Sequence, residues 1–339
     1  MHSQIKYSIL DLASVIEGDN YTQTFEKSAK TAQFAEELGY ERYWFSEHHN
    51  MPSVISASTS LLIGYTAKST KKIRVGSGGI MLPNHTTLSI AEQFGTLDAM
   101  FPDRIDLGLG RAPGTDPLTA SVLRRGDENF NYNFEYHIQE LFRYFSLENT
   151  DSKVRAFPGE GANIPLYILG SSTDSAFLAA KLGLPYAFAG HFAPGQFQQA
   201  FEIYQSKFTP SQYLDKPYSM LCLSIFAAET EDEAVYHSLP QFQAIVNLLT
   251  DNRQPLTSPE NTQLENLSPE LQAGVHRMTA LSMIGDKEIL KEKIGTIVTD
   301  LNLNEIMVYT NMFDFEAKLN SLKITSEVFE EINFQNYNS

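Results

Sequence analysis

The feature of this sequence that most restricts its fold is a regular alternation of short apolar runs with longer amphipathic segments. After the first run, Phe25, Ala29, Ala32 and Ala35 recur at the spacing of one helix face, and Gly39 follows as a stop signal. The same alternation of a strand signal and a helix signal continues to the end of the chain. Such an order of elements is typical of α/β proteins with a parallel sheet.

Eight such units are predicted. The expected strands are Tyr7 to Leu10, Tyr43 to Ser46, Arg74 to Gly78, Ile105 to Leu109, Leu166 to Leu169, Tyr186 to Ala189, Ser219 to Ala227 and Ile306 to Tyr309. The expected helices are Thr24 to Leu38, Ser53 to Lys68, one opening with a capping box at Ser89 and Glu92, Asn133 to Leu147, Asp174 to Leu182, one from Pro194, one capped by Thr230, and Asp314 to Leu322. Eight consecutive units favour an α/β fold of the TIM-like (β/α)8 barrel type, and an open doubly wound sheet is the alternative.

Three segments exceed the minimal repeat and are predicted as insertions. They cover residues 111–131 after the fourth strand, 148–163 before the fifth, and 250–282 after the seventh. Long connections in a compact domain often serve as lids or binding loops. We therefore expect one barrel domain over residues 1–339, with these insertions shaping its mouth. Cys222 is the only cysteine, so a disulfide within the chain is excluded.

The charge balance restricts the partners. The 25 basic and 41 acidic side chains give a net charge of −16, and no basic cluster occurs. Nucleic acids and anionic membranes attract proteins through a positive field, so neither is expected as a partner. The apolar run before Asp11 is too short for a signal peptide, and no apolar stretch approaches the ~18 residues of a membrane span. We expect a cytoplasmic protein.

Polar or small residues follow the predicted strands directly. They are Asp11, Glu47-His48-His49, Gly78-Gly79, Gly110-Arg111, Gly170-Ser171-Ser172 and Gly190-His191. In a parallel barrel the carboxyl ends of the strands meet on one face, where the active site lies. These residues are therefore expected to line one pocket.

His48 is the candidate for acid or base chemistry. A histidine titrates near pH 6.5, so it can donate or accept a proton at physiological pH. Adjacent residues at a strand end point to opposite sides, and no His-Glu-x-x-His pair occurs, so we assign no metal ligand. The alternative is a hydrogen-bonded histidine at the barrel rim.

The glycine-rich segments indicate a bound ligand but not a nucleotide fold. The dinucleotide fingerprint, the Walker loop and the nucleophile elbow are all missing. Gly76, Gly78 and Gly79 would let a flat ligand approach the backbone, or would merely permit a bend of the barrel. The serines of GSSTDS at a predicted helix start form an anion site to which Arg111 can add a charged contact. The alternative is that Ser172, Thr173 or Asp174 simply caps the helix.

These residues carry a resemblance to a known family. The matching segments are YSILDLA, GYERYWFSEHH, RVGSGGIMLPNH, AEQFGTLDAMFPDRIDLGLGRAPG, LYILGSSTDSAFLAAKLGLPYAFAGHF and MIGDKE. In combination and order they resemble the bacterial-luciferase-like flavin-dependent monooxygenases, in particular their single-chain oxidoreductases. The resemblance implies a TIM-like barrel that binds flavin mononucleotide (FMN), in its reduced form as co-substrate.

By position, the resemblance implies a role for each candidate. His48 matches the active-site histidine beside the reacting face of the flavin, and Gly78-Gly79 matches a non-proline cis peptide under its ring. The flavin phosphate contacts correspond to Arg111, Ser172 and Ser175, with Ser171 beside them. Gly110 and His191 are assigned to the same cofactor-binding set. Bacterial luciferase has a reactive cysteine where this chain has Gly110, so light emission is not expected.

The expected function is that of a two-component monooxygenase. Reduced FMN would react with dioxygen, and one oxygen atom would pass to a small organic substrate. Electrons would come from a separate flavin reductase, because the sequence contains no fingerprint for a nicotinamide nucleotide beside the flavin site. Two alternatives are hydride transfer with a deazaflavin cofactor and flavin binding without catalysis. The family pairs its subunits through the second and third helices, so a homodimer is expected around the small residues 56–60 and Leu61, Leu62 and Ile63. Those small residues would alternatively fit the helix against its own barrel.

Overall fold

A parallel sheet closes on itself in the computed structural model, which describes residues 4–125 and 132–338. Its strands are β1 (Lys6–Asp11), β2 (Arg42–Phe45), β3 (Arg74–Met81), β4 (Ile105–Gly110), β5 (Leu166–Gly170), β6 (Tyr186–Phe188), β7 (Ser219–Ala227), β8 (Met283–Gly285) and β9 (Glu305–Tyr309). Strands β1 to β7 pair in order, β7 pairs with β9, and β9 returns to β1. The predicted eight-stranded barrel is confirmed, and closure rules out the open sheet.

Strand β8 was not predicted. It pairs with the carboxyl end of β7, where Ile225 lies opposite Met283, and it stays outside the closed ring. Its three residues give too short a signal to distinguish from a loop.

Helices cover the outside of the barrel. They are α1 (Tyr21–Glu37), α2 (Thr59–Ser69), α3 (Thr87–Met100), α4 (Pro117–Leu123), α5 (Phe134–Phe145), α6 (Thr173–Leu182), α7 (Phe197–Lys207), α8 (Glu231–Leu249), α9 (Pro269–Thr279), α10 (Lys287–Asp300) and α11 (Phe315–Asn338). No described helix combines the length and apolar character that a bilayer crossing requires.

Several predicted helix starts were wrong, including those of α1, which begins at Tyr21 rather than Thr24, and of α7, which begins at Phe197 rather than Pro194. Helix α2 begins at Thr59 rather than Ser53, because the preceding segment follows the barrel rim and the Ser56 hydroxyl pairs with that of Ser46 at 3.0 Å. Helix α3 begins before Ser89, because Thr86 is its N-cap and accepts from the Ser89 backbone N–H. The final helix runs well beyond the predicted end at Leu322.

The predicted insertions contain some regular structure. The first holds α4, and its residues 126–131 lie outside the described part of the chain. The third holds α9 and crosses the β1 end of the barrel, where Leu256 bridges to Ile16. The second, residues 148–163, contains a single short 3-10 turn at Asn149–Asp151.

The barrel interior near the amino ends of the strands holds a buried ion network. The Arg42 guanidinium, 3% exposed, donates to Asp106 Oδ2 at 2.7 Å and to Glu305 Oε1 at 2.8 Å. Arg74 also pairs with Asp106, and the Tyr218 hydroxyl donates to Glu305. These paired charges fill one end of the barrel and leave the opposite end for a site.

Candidate active site

Histidines from two strand ends share the mouth of the barrel. His48 follows β2 and His191 follows β6, and the His191 ring centroid lies 5.3 Å from that of Tyr309 in β9. Burial, and then the nearby charge of His48, lower the pKa of His191 to about 4. The ring contact with Tyr309 and the effect of His48 on the pKa of His191 are consistent with a common place for these residues at the mouth.

The surroundings of His48 determine its protonation. Its Nδ1 atom lies 3.3 Å from the carbonyl oxygen of Gly114. A carbonyl only accepts, so Nδ1 carries the proton in this contact and Nε2 of the neutral ring keeps a free lone pair. Burial lowers the pKa of His48 below its ordinary value, which favours the neutral ring at pH 7. His48 is therefore arranged to accept a proton at Nε2.

Glu47 is a buried anchor for the loops around His48. Its carboxylate accepts from the Met81 backbone N–H at 3.0 Å and contacts His49 Nε2 and His85 Nε2, each at 2.9 Å. Burial acts to raise the pKa of this carboxyl, but the hydrogen bonds from His49 and His85 prevail and lower it to about 2. His49 thus points to Glu47, and the described residues contain no cluster of three or more His, Cys, Asp or Glu arranged for a metal ion.

Gly114 positions the loop after β4 against this anchor. Its φ is +65°, and a Cβ at this position would lie 2.6 Å from the Glu47 carbonyl oxygen. Its own carbonyl accepts from the His49 backbone N–H at 3.2 Å as well as from His48. Sequence analysis did not assign this glycine to the site, although it follows Pro113 in the glycine-rich segment after β4.

The Gly78–Gly79 peptide bond is cis, at the position that the family resemblance implied. A Cβ on Gly78 would lie 2.8 Å from Leu10 Cδ1, and one on Gly79 would lie 2.6 Å from the Gly108 carbonyl oxygen. Gly110 is similarly crowded by the sulfur of Met81. Packing of neighbouring strands thus accounts for these glycines, and contact with a flat ligand stays a prediction.

Arg111 and the start of α6 lie together, as predicted. An Arg111 Nη2 to Asp174 Oδ2 distance of 3.9 Å joins the loop after β4 to the first turn of this helix. Ser172 is the N-cap residue, as the capping alternative has it, but its side chain makes no capping hydrogen bond. First-turn N–H groups at a helix start favour an anion, and the exposed Arg111 lies close to them, so phosphate binding here stays a prediction.

Two further serines flank this helix start. The Ser175 hydroxyl donates to the Ser172 carbonyl at 2.7 Å and lies 3.0 Å from the Tyr186 hydroxyl, so it supports the turn from inside. Ser171 is half-buried between β5 and the N-cap. Of the predicted phosphate contacts, Ser175 can therefore offer its backbone N–H more readily than its hydroxyl.

Arg253 was not among the residues predicted from the sequence. This residue lies in the third insertion, yet its positive charge acts on His48 and lowers the pKa of that ring further. A single arginine in a polar insertion gives no local signal, because its place depends on how the insertion crosses the barrel.

Comparisons with known proteins identify the family of the chain. A sequence model of the family described as luciferase-like monooxygenase matches residues 5–302. A protein of Escherichia coli (strain K12) named luciferase-like monooxygenase is 44% identical over 97% of this chain and 98% of its own length. The N-acetyl-S-alkylcysteine monooxygenase of Bacillus subtilis (strain 168) is 31% identical over 95% of this chain and 98% of its own length.

Solved structures share the fold. Apo-MsnO8 superposes with a TM-score of 0.90 at 28% identity, covering 96% of this chain and 98% of that one. The oxygenating constituent of 3,6-diketocamphane monooxygenase, in complex with FMN, has a TM-score of 0.71 at 17% identity, with coverage of 97% and 98%. An F420-dependent secondary alcohol dehydrogenase has a TM-score of 0.67 at 14% identity, with coverage of 97% and 99%. Since the family model alone spans most of the sequence, the chain belongs to the luciferase-like monooxygenases.

Proposed function

We propose that this protein is a monooxygenase that uses reduced FMN and dioxygen to oxygenate a small organic substrate. The observation that carries the proposal is the pairing of Arg111 with the uncapped start of α6 at the carboxyl ends of β4 and β5. That pairing suits a phosphate, and it lies on the barrel face that holds His48 and His191.

The residues present fit FMN. Arg111, Ser171, Ser172 and the first-turn N–H groups of α6 would hold its phosphate. The Gly78–Gly79 segment and His191, whose Nδ1 is buried without a hydrogen-bond partner among the described residues, would lie at the ring. When bound, the reduced flavin supplies the reaction with dioxygen.

The protein's own contribution centres on His48. Its Nε2 lone pair is available, and the contact with Gly114 keeps the ring in this tautomer. A base held in this way removes a proton from the substrate or the reacting group without first losing one of its own. The loops anchored on Glu47 would keep bulk water away from this reaction.

A direct experiment separates FMN from a deazaflavin. The purified protein is titrated with FMN and with F420, each oxidised and reduced, and oxygen uptake is followed with a flavin reductase and N-acetyl-S-methylcysteine as the first probe, since one relative is named for that class. Tight binding of reduced FMN with substrate-dependent oxygen uptake is expected. Exclusive binding of F420 would favour the hydride-transfer alternative, and FMN binding without turnover across a substrate panel would favour a carrier.

We also propose a homodimer through α2 and α3, with a separate reductase as electron donor. Leu61 and Tyr65 of α2 are 73% and 47% exposed, and Met100 of α3 is 61% exposed. Leu62 and Ile63, expected at the interface, are instead buried in their own barrel, since they face inward from α2. Sedimentation at micromolar concentration should give a dimer, and Leu61→Glu should give a monomer of 38.1 kDa.

A further inference from the structure

We infer that Arg253 binds the carboxylate of the substrate, so that the substrate class of this enzyme is small organic monocarboxylic acids. The inference rests on the proposed function. It concerns the group of the substrate that the protein recognises away from the reacting atoms.

The segment that carries Arg253 is held beside the barrel mouth by backbone hydrogen bonds. Three residues further along the chain, the Leu256 N–H donates to the Val15 carbonyl at 2.7 Å, and the Glu17 N–H donates to the Leu256 carbonyl at 2.9 Å. Val15 and Glu17 follow the carboxyl end of β1. The third insertion is therefore held beside the ends of β1 and β2, where His48 lies.

Arg253 has little compensation for its charge within the protein. Its side chain is only 22% exposed, and its Nε atom is buried without a hydrogen-bond partner among the described residues. The neighbouring carboxylate, Asp251, lies 3.5 Å from Nε, but its side chain is 88% exposed. An ion pair with such an exposed partner is screened by solvent and contributes little.

The carboxylates at the adjacent strand ends are committed to other groups. Asp11 accepts from the Ala13 N–H and the Tyr43 hydroxyl. Glu47 is surrounded by the Met81 N–H, His49 and His85. His48 supplies no negative charge in either of its protonation states. The Nε atom is shielded from solvent and faces Asp251, so the two Nη atoms, which hydrogen-bond to none of the described residues, form the edge that is left for a ligand.

A carboxylate is the ligand group that best fits this edge of the guanidinium. A guanidinium presents parallel N–H donors that pair with both oxygens of a carboxylate, and such charge-assisted pairs are stronger than neutral hydrogen bonds. With the acid group held at Arg253, the rest of a small molecule would extend toward His48 and His191.

The test compares acids with neutral analogues. Small monocarboxylic acids, including N-acetyl-S-methylcysteine, are titrated by calorimetry against their primary amides, using the FMN-loaded protein and its Arg253→Met variant. The protein should prefer at least one acid over its amide by about 10- to 100-fold, the scale of a charged hydrogen bond, and Arg253→Met should lose that preference. Arg277→Met, at an exposed arginine of α9, should keep it.

A second measurement tests whether the acid binds close to His48. Because the charge of Arg253 lowers the pKa of His48, binding of the acid should raise that pKa, as should Arg253→Met without ligand. Both are measured by NMR titration of the histidine ring. Equal affinity for every acid and its amide, an unchanged preference in Arg253→Met, or stronger binding of sulfonates would each overturn the inference. FMN affinity, measured separately on both proteins, tests the proposed function and should be the same in each.

Discussion

The Nδ1 atom of His48 and the carbonyl oxygen of Gly114 lie 3.3 Å apart, which joins the loops after β2 and β4 across the intervening strand β3. The contact leaves Nε2 as the unprotonated nitrogen of the neutral ring. Both residues can be changed separately, so the contribution of the side chain and that of its support can be measured independently.

His48→Ala should slow oxygen transfer by about 10²–10⁴-fold, the usual contribution of a positioned acid or base. Folding and binding of oxidised FMN should survive. Rapid mixing of the reduced, flavin-saturated variant with oxygen and a working substrate measures the step. His49→Ala, which removes a contact to Glu47, should cost less. Unchanged oxygen transfer by His48→Ala would rule out its proton role.

Gly114→Ala should impair activity although it adds only a methyl group. The added Cβ would meet the Glu47 carbonyl oxygen at a φ unfavourable to alanine, so the loop must move and His48 loses its support. We expect a fall in kcat of about tenfold or more. Gly195→Ala is the matched control, because its Cβ would meet nothing within 4 Å. Equal activity of the two variants would contradict the proposed role of the Gly114 loop.

Arg111→Ala should weaken FMN binding by about 1.5–3 kcal/mol, the scale of a hydrogen bond to a charged group. Fluorescence titration of flavin gives the dissociation constants. Lys181→Ala serves as the control, because it removes a positive charge at the opposite end of the same helix. If Arg111→Ala binds FMN as the unchanged protein does, the phosphate lies elsewhere.

His191 should make the protein less stable in mild acid. In the unfolded chain it takes up a proton near pH 6.5, whereas in the folded protein its pKa is about 4. Between these values the unfolded state binds more protons, so the free energy of unfolding falls as pH falls from about 6.5 to 4. His191→Phe should remove up to about 3 kcal/mol of this fall. Urea unfolding of both proteins across this pH range measures their free energies of unfolding. If the two free energies fall in parallel with pH, His191 is not the cause.

Arg42→Met should destabilise the fold strongly. It leaves Glu305 and Asp106 buried with less compensation, and breaking a buried ion pair by removing one partner costs about 3–5 kcal/mol. Chemical denaturation of the two proteins measures the loss in free energy of unfolding. Arg143→Met, at a side chain that is 54% exposed, should stay within about 0.5 kcal/mol of the unchanged protein. A similarly small loss for Arg42→Met would show that the network is dispensable for stability.

The sequence by itself determined the barrel and the edge at which its site lies. Short apolar runs define strands locally, and polar residues directly after them, such as His48 and Arg111, must come to the carboxyl ends of a parallel sheet. The family motifs in the same places indicated the cis bond between Gly78 and Gly79, which the structure contains. These signals are local in the chain, so they can be read without knowing how distant segments pack.

Only the tertiary structure decided what surrounds those residues. The Gly114 contact to His48 spans 66 residues, and the Arg42 contact to Glu305 spans 263. The segment that carries Arg253 lies beside the mouth because Leu256 pairs with the backbone after β1. Such contacts form only when the barrel closes and its loops pack over one end. Periodicity along the chain indicates which face of an element is buried. It does not indicate which distant side chain lies against that face.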